Sequence, residues 1–244
     1  MLRAVTFDLW STLITEAQPG LRRTRTERIR RIDEILRTTQ IVSSIEAVDR
    51  AYTVVGERLE ALWKLHLDTG ARGQVEMLLD ALPGGNSLIR SELLLDRLIE
   101  AYTYPILSDL PIPIDGAADV LATLEARDLR LAVICNTGRT PGKVLRIILE
   151  RLNLAKHLAV QTYSDEVGLR KPRREIFEHT LAALGVDPQE ALHVGDTLAS
   201  DIAGASAIGM RAVHLCHARG ADSIPADGET ITSLPELVSL INGA

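Results

Sequence analysis

Short apolar runs and amphipathic stretches alternate over most of this chain, and their order predicts its fold. Runs rich in β-branched and other aliphatic residues, bounded by polar or turn-forming positions, are typical of buried strands. They occur at residues 4–7, 129–135, 158–162, 191–194 and 211–215. Helical patterns fill the intervals between the later runs, so the chain predicts a parallel, doubly wound α/β sheet.

Between the first two apolar runs the hydrophobic residues follow a different period from that of the strands. From about residue 18 to residue 108 apolar residues recur at helical spacing, as in Ile29, Ile32 and Leu36. No strand pattern is visible there. We therefore predict an all-helical domain at residues 17–108, inserted into a Rossmann-like core of residues 1–16 and 109–244. A helical insertion at this point can fold over the carboxyl ends of the strands as a lid.

Polar residues mark the starts of several predicted helices. Thr140 followed by Pro141 is a typical cap and first-turn pair. Lys171, which is followed by proline, opens another helix. Capping boxes are predicted at Asp187 and Ser233, where a glutamate follows three positions later. These boundaries divide the second half of the chain into alternating strands and helices.

Composition and charge limit the classes of function that the chain can have. The formal net charge of −6 argues against a general nucleic-acid binder, although a local positive field can still attract a small anionic substrate. Cys135 and Cys216 form neither a disulfide framework nor a metal-ligand spacing, which favours a reduced, cytoplasmic setting. Neither a leader peptide nor a membrane-spanning run is visible, so no membrane partner is expected. No pattern indicates an oligomeric state.

Reactive side chains follow three of the predicted strands. Asp8 ends the first, Cys135-Asn136 ends the second and Asp196 follows the fourth. Because the carboxyl ends of parallel strands share one edge of a sheet, we expect these groups and Lys171 to converge. Two carboxylates suit Mg²⁺, while the lysine and backbone amides suit an oxyanion. The set predicts carboxylate attack on phosphorus through an acyl phosphate. Taken alone, Asp8 can equally cap the turn after its strand.

The same residues resemble the motifs of the haloacid dehalogenase (HAD) superfamily of hydrolases. Four motifs match in order and spacing: FDLWSTL around Asp8, then Cys135-Asn136, then Lys171 in LRKP, then Gly195-Asp196-Thr197 through Asp201. The motifs bracket nearly the whole chain. The resemblance implies a Rossmann-like core, a helical cap inserted after the first strand, and a Mg²⁺-dependent hydrolase of small phosphoesters.

The resemblance also implies roles for single residues. Asp8 corresponds to the nucleophile and a metal ligand, and Asp196 to the acidic metal ligand. Trp10 would supply a backbone carbonyl to the metal, and Asp201 would support its outer shell. Lys171 would stabilise the nucleophile and the incoming charge. The remaining candidates orient or contact the substrate: Thr12 for the phosphate, and Trp10, Cys135, Asn136, Thr137 and Arg139 as the substrate-binding set.

Two departures from the family pattern leave alternatives open. Trp10 stands where family phosphatases have a second aspartate, and an indole cannot act as a general acid at neutral pH. Cys135 replaces a hydroxyl with a weaker hydrogen-bond donor. An aromatic at the Trp10 position is similar to metal-free 2-haloacid dehalogenases of the superfamily, but Asp196 belongs to the metal-binding form. The alternatives are dehalogenation through an Asp8 ester and a weakly active or non-catalytic binder of phosphorylated ligands.

Further side chains have both a functional and a structural interpretation. Residues 22–31 hold six arginines, which we interpret as a solvated helix face in preference to a surface that attracts substrate. His193 lies inside a predicted strand and is interpreted as a satisfied core residue. Trp63 lies on the apolar face of a helix, where core packing is favoured over a place in a substrate pocket.

Overall fold

The computed structural model describes residues 1–17, 20–39, 44–85, 90–216 and 229–242. Its main element is a six-stranded parallel sheet. The strands are β1 (Ala4–Phe7), β4 (Arg130–Cys135), β5 (Val160–Tyr163), β6 (Ala191–Gly195), β7 (Arg211–Leu215) and β8 (Glu229–Ile231). Their order across the sheet is β5-β4-β1-β6-β7-β8. The predicted α/β fold class is confirmed.

Strand β1 lies at the centre of the sheet between β4 and β6. Phe7 pairs with Val133 on one side and with Val194 on the other. Both faces of the sheet are buried, because alternate residues of β4 belong to different apolar clusters: Leu131 to one and Ala132 to the other. Helices therefore cover both faces, and the ends of β1, β4 and β6 meet at one edge.

The helices that follow the strands include α5 (Ala117–Glu125), α6 (Gly142–Arg151), α8 (Arg174–Leu184) and α10 (Glu236–Asn242). Shorter helical pieces are α7 (Ser164–Val167) and α9 (Ala203–Ser206), the latter preceded by a π-helical turn at Leu198–Ile202. Side chains of α5, α6 and α10 pack into one cluster against the sheet, and those of α8 and α9 into the other.

Some boundaries differ from the sequence prediction. The cap of α6 is Pro141, while the hydroxyl of Thr140 accepts a hydrogen bond from Arg28 at 3.0 Å. Lys171 precedes a cis peptide bond to its proline, and α8 begins three residues later than predicted. The capping box at Asp187 is present, although its helix is a single 3₁₀ turn at Pro188–Glu190. At the second predicted box the Ser233 hydroxyl donates to the Glu236 carboxylate at 2.7 Å, which differs from the paired backbone bonds of a capping box.

Strands missed from the sequence are short and lie at edges. The outer strand β8 pairs with β7, and the two-residue strands β2 (Ile14–Thr15) and β3 (Ile112–Pro113) form a separate antiparallel pair. Two or three residues are too few to show a period. The pair β2–β3 joins the two places where the chain leaves and re-enters the region of the sheet.

Four long helices lie between β2 and β3: α1 (Gly20–Thr38), α2 (Ile45–Lys64), α3 (Ala71–Ala81) and α4 (Glu92–Thr103). They pack around an apolar cluster of their own, which includes Ile32, Val55 and Leu79. Ser44 and Ser91 cap α2 and α4 by accepting backbone N–H bonds. We call residues 20–108 the helical segment. In the described part of the chain no helix is long and apolar enough to span a membrane.

Candidate active site at the carboxyl ends of the strands

The ammonium group of Lys171 lies between two carboxylates at the edge where β1 and β6 end. Its Nζ is 2.6 Å from Oδ1 of Asp8 and 2.6 Å from Oδ1 of Asp201. Lys171 is 2% exposed and Asp201 is 1% exposed. A buried charge is tolerated only when paired and hydrogen-bonded, and each of these groups meets that condition.

Burial and mutual charge set the pKa values of this cluster. Burial raises the pKa of Asp8 to about 7; Lys171 opposes this shift, and the charges of Asp201 and Asp196 add to it. Burial also acts against the charge of Lys171, but Asp201 and Asp8 outweigh it and raise the lysine pKa. At Asp201 burial favours the neutral acid, but Lys171 and His193 outweigh it and lower the pKa. Lys171 and Asp201 therefore form the fixed ion pair, and Asp8 is the carboxyl whose charge depends on its surroundings.

Asp201 is held by a histidine of β6 and by the turn that follows this strand. His193 Nε2 lies 3.3 Å from its Oδ1, and the backbone N–H of Thr197 donates to its Oδ2 at 3.1 Å. The other ring nitrogen of His193 is 2.8 Å from the Thr6 hydroxyl. A Cβ on Gly195 would lie only 2.4 Å from the Asp201 carboxyl carbon, so glycine is required for this approach. His193 is a satisfied core residue, as its place inside the strand indicates.

The two strand-end carboxylates Asp8 and Asp196 follow adjacent parallel strands. Asp8 donates its backbone N–H to Val194 at 2.8 Å, two positions before Asp196. The charge of Asp196 is near enough to raise the Asp8 pKa. Burial, followed by the charge of Asp201, raises the pKa of Asp196 itself.

The donor set at this edge fits a hard divalent cation with few protein ligands. The described residues include no group of three or more His, Cys, Asp or Glu side chains arranged to hold a metal. Mg²⁺ needs no such cage, since one or two carboxylates with a carbonyl, waters and substrate oxygens suffice. The charge of Asp196 raises the pKa of Asp8, and a cation bound near both carboxylates would relieve this repulsion. The residues present therefore fit Mg²⁺.

Thr12 lies in the turn after Asp8 with its hydroxyl unused. The residue is fully buried, and among the described residues its Oγ1 has no hydrogen-bond partner. A buried polar atom without a partner is costly. A substrate oxygen is one group that would satisfy it.

Side chains at the end of β4 form hydrogen bonds with the loop that carries Lys171. The amide of Asn136 donates to the backbone carbonyl of Lys171 at 3.0 Å and accepts from its N–H at 2.7 Å. Thr137 donates its backbone N–H to the Ser164 hydroxyl at 2.8 Å. Cys135 is buried, and burial raises its thiol pKa well above the usual value. Asn136 thus positions Lys171, and the Cys135 thiol stays protonated.

Next to these residues a cleft of about 500 Å³ separates the strand ends from the helical segment. Trp10 and Asn136 line it from the sheet side, together with Arg139 and Arg170. The helical segment contributes side chains of α1 and α2, namely Arg25, Arg28, Tyr52 and Trp63. This volume lies within the range of small-molecule sites.

Ion pairs and stacking join the helical segment to the sheet edge. Asp68, whose side chain is fully buried, pairs with Arg170 at 2.5 Å and accepts from Thr137 at 3.2 Å. The Arg170 guanidinium stacks 4.5 Å from the Trp63 ring. Trp63 packs against the apolar cluster of the helical segment, as predicted, and it also lines the cleft.

The arginine-rich stretch of α1 divides into two groups. Arg30 and Arg31 pair with Glu27 on the surface, as a solvated face predicts. Arg28 is 4% exposed and, together with Arg25, lines the cleft. A solvated face was therefore the wrong interpretation for Arg28, whereas Arg25 is exposed and also borders the cleft. The sequence hint was that Arg28 lies one position before Ile29, on the buried side of the helix.

Comparison with known proteins gives a family and several relatives. The family model described as haloacid dehalogenase-like hydrolase matches residues 2–209. Glyceraldehyde 3-phosphate phosphatase from Pyrococcus abyssi is 39% identical over 102 residues, which cover 41% of each chain. The matches span only 41–54% of the length of the first curated relatives. Phosphoglycolate phosphatase from Escherichia coli O157:H7 is 27% identical over 221 residues, 88% of this chain and 82% of that protein.

Two solved structures extend over the whole chain. A HAD phosphatase from Thermococcus onnurineus has a TM-score of 0.66 and 25% identity, with 99% of both chains covered. A 2-haloacid dehalogenase from Pseudomonas syringae pv. Tomato DC3000 has a TM-score of 0.64 and 24% identity, with 100% of both chains covered. Because both activities occur on this architecture, the fold does not choose between them.

Proposed function

Because this chain belongs to the haloacid dehalogenase-like hydrolase family, and is a hydrolase as its motifs predicted, we propose that it hydrolyses small phosphoesters with Mg²⁺ through Asp8. The observation that carries the proposal is the lysine bridge: Lys171 lies 2.6 Å from both Asp8 and Asp201, beside the carboxylate of Asp196. A nucleophilic carboxylate held by a buried cation suits attack on an anionic phosphoryl group, because the lysine offsets their repulsion.

In the proposed reaction an Asp8 oxygen forms a bond to phosphorus while the bond to the ester oxygen breaks. The electron pair leaves with that oxygen, and water then attacks the aspartyl phosphate and releases phosphate. Asp8, Asp196 and the Trp10 carbonyl would hold Mg²⁺, with Asp201 in its outer shell. When bound, Mg²⁺ would neutralise charge on the phosphoryl oxygens. The unused Thr12 hydroxyl would donate to a phosphate oxygen.

The helical segment is proposed to act as the cap, with the division at residues 17–108 that the sequence predicts. Support comes from its separate apolar cluster and from the cleft of about 500 Å³ between it and the strand ends. A cap in this place selects the substrate and excludes water.

Trp10 limits which esters are good substrates. It lines the cleft where a proton donor for the leaving group would be needed, and indole supplies none. The absence of a general acid costs about 10²–10⁴-fold in rate. Esters with good leaving groups, such as aryl and acyl phosphates, should therefore react fastest. The printed names of two relatives, glyceraldehyde 3-phosphate phosphatase and phosphoglycolate phosphatase, favour small phosphorylated carbon compounds as natural substrates.

The test is phosphate release from p-nitrophenyl phosphate with Mg²⁺ and with excess chelator. We expect activity only with Mg²⁺ and none from Asp8→Asn, whereas Asp119→Asn, an exposed aspartate on α5, serves as the matched control. Halide release from 2-chloropropionate that survives chelation would instead favour dehalogenation. Ligand-induced stabilisation without turnover in either assay would favour a non-catalytic binder.

A further inference from the structure

Two guanidinium groups in the cleft have only neutral partners. Four arginines and one carboxylate, that of Glu16, line the cleft. Two of the arginines are paired with carboxylates outside this lining: Arg25 with Asp49 at 2.6 Å, and Arg170 with Asp68 at 2.5 Å. For Arg28 and Arg139 no carboxylate lies within ion-pair distance in the described ranges of the chain. The chain as a whole is acidic, so this local excess of positive charge is a property of the cleft.

Arg28 and Arg139 are held on the same pair of tyrosines. Arg28 donates to the Tyr52 hydroxyl at 3.1 Å. Arg139 donates to the Tyr102 hydroxyl at 2.6 Å and to the Tyr52 carbonyl at 3.0 Å, and its guanidinium lies 3.8 Å from the Tyr52 ring centre. Neutral hydroxyls and ring faces orient a guanidinium without cancelling its charge. Two like charges are therefore held close together and remain available to an anion.

Arg28 also has an unused donor. The residue is 4% exposed, and its Nε has no hydrogen-bond partner among the described residues although it is shielded from solvent. Its Nη2 donates to Thr140, the residue after Arg139, so a contact across 112 positions of sequence links helix α1 to the sheet side of the cleft. A desolvated charge with a free donor is the arrangement expected of a site for an anionic group.

We propose that Arg28 and Arg139 bind a carboxylate of the substrate in this cleft. The inference rests on the proposed phosphatase function and narrows its substrate class to phosphorylated carboxylic acids. Asn136 lines the same cleft and is bonded to Lys171, so one small molecule can extend from the strand ends to the arginines. Arg28 and Arg139 are then specificity-determining residues, because they contact a part of the substrate that does not react.

The test compares phosphoglycolate with 2-hydroxyethyl phosphate, which has a neutral hydroxymethyl group in place of the carboxylate. A hydrogen-bonded charge pair predicts that kcat/KM favours phosphoglycolate by about ten- to hundredfold. Arg28→Gln and Arg139→Gln should each lower this ratio at least several-fold, mainly through KM. Arg28→Lys, which keeps the charge, should retain more of the preference than Arg28→Gln. Arg30→Gln on the outer face of α1 is the matched control and should keep the ratio.

A binding measurement separates this inference from the proposed function. Asp8→Asn protein with Mg²⁺ is titrated with each compound in a calorimeter, so no turnover is needed. If neither these esters nor p-nitrophenyl phosphate is hydrolysed with Mg²⁺, the phosphatase proposal fails, while tighter, Arg28-dependent binding of phosphoglycolate still supports the carboxylate site. Equal kcat/KM and equal affinity for the two compounds would overturn the inference while leaving the phosphatase intact. A preference that both glutamine variants retain would also overturn it.

Discussion

Replacing Lys171 by methionine should destabilise the protein strongly, because it leaves two carboxylates facing each other without their shared cation. Both Asp8 and Asp201 lie 2.6 Å from Nζ, and the lysine is 2% exposed. Breaking a buried ion pair by removing one partner costs about 3–5 kcal/mol. For a chain of this size that corresponds to a fall in Tm of about 6–20 °C.

The measurement is thermal unfolding followed by circular dichroism at pH 8 with chelator present, so that no divalent cation replaces the lysine. Lys156→Met is the matched control, since Lys156 is exposed and the same side-chain change there should leave Tm nearly unchanged. The double variant Lys171→Met/Asp201→Asn should recover part of the loss, because it removes one of the two repelling charges.

A Tm for Lys171→Met within about 2 °C of the unchanged protein would refute this reasoning. It would mean that the carboxylates take up protons or separate at little cost, and that the lysine bridge does not organise the strand ends. A double variant less stable than Lys171→Met alone would contradict the charge argument specifically. Enzymatic activity does not test this prediction, because the loss of Lys171 is expected to abolish activity whether or not the protein is destabilised.

Two further predictions follow from the site and from α1. Trp10→Asp should raise kcat for alkyl phosphates relative to kcat for p-nitrophenyl phosphate by about 10²–10⁴-fold, because the aspartate restores a proton donor. An unchanged ratio of the two kcat values would argue against a missing general acid. Glu27 has its pKa lowered to about 2 from a usual 4.5 by hydrogen bonds from Arg30 and Arg31. The ion pairs of Glu27 therefore stabilise the fold above about pH 4.5, and this stabilisation is lost as pH falls toward 2. Glu27→Gln should lower the free energy of unfolding by less than about 1 kcal/mol at pH 6, and by a smaller amount at pH 3, as measured by urea unfolding.

The prediction of the sheet succeeded where the chain has long, buried runs. Residues 4–7 and 211–215 were predicted with the bounds that the structure has. The first of these strands is buried at every position, as its largely apolar sequence indicates. The edge strand β8 and the pair β2–β3 were missed, since two or three residues carry no period. The helical segment was recognised from its spacing, and the roles of the site residues stay predictions.

The sequence by itself determined the order of elements and the chemistry available at the strand ends, because hydrophobic period, caps and motif spacing are properties of neighbouring residues. Only the tertiary structure decided what those residues touch. Asn136 binds the backbone of Lys171, 35 positions away, and Arg28 reaches Thr140, 112 positions away. Such contacts depend on how the helices pack over the sheet. Local sequence does not encode that packing. The packing decides which arginines line the cleft and which face water.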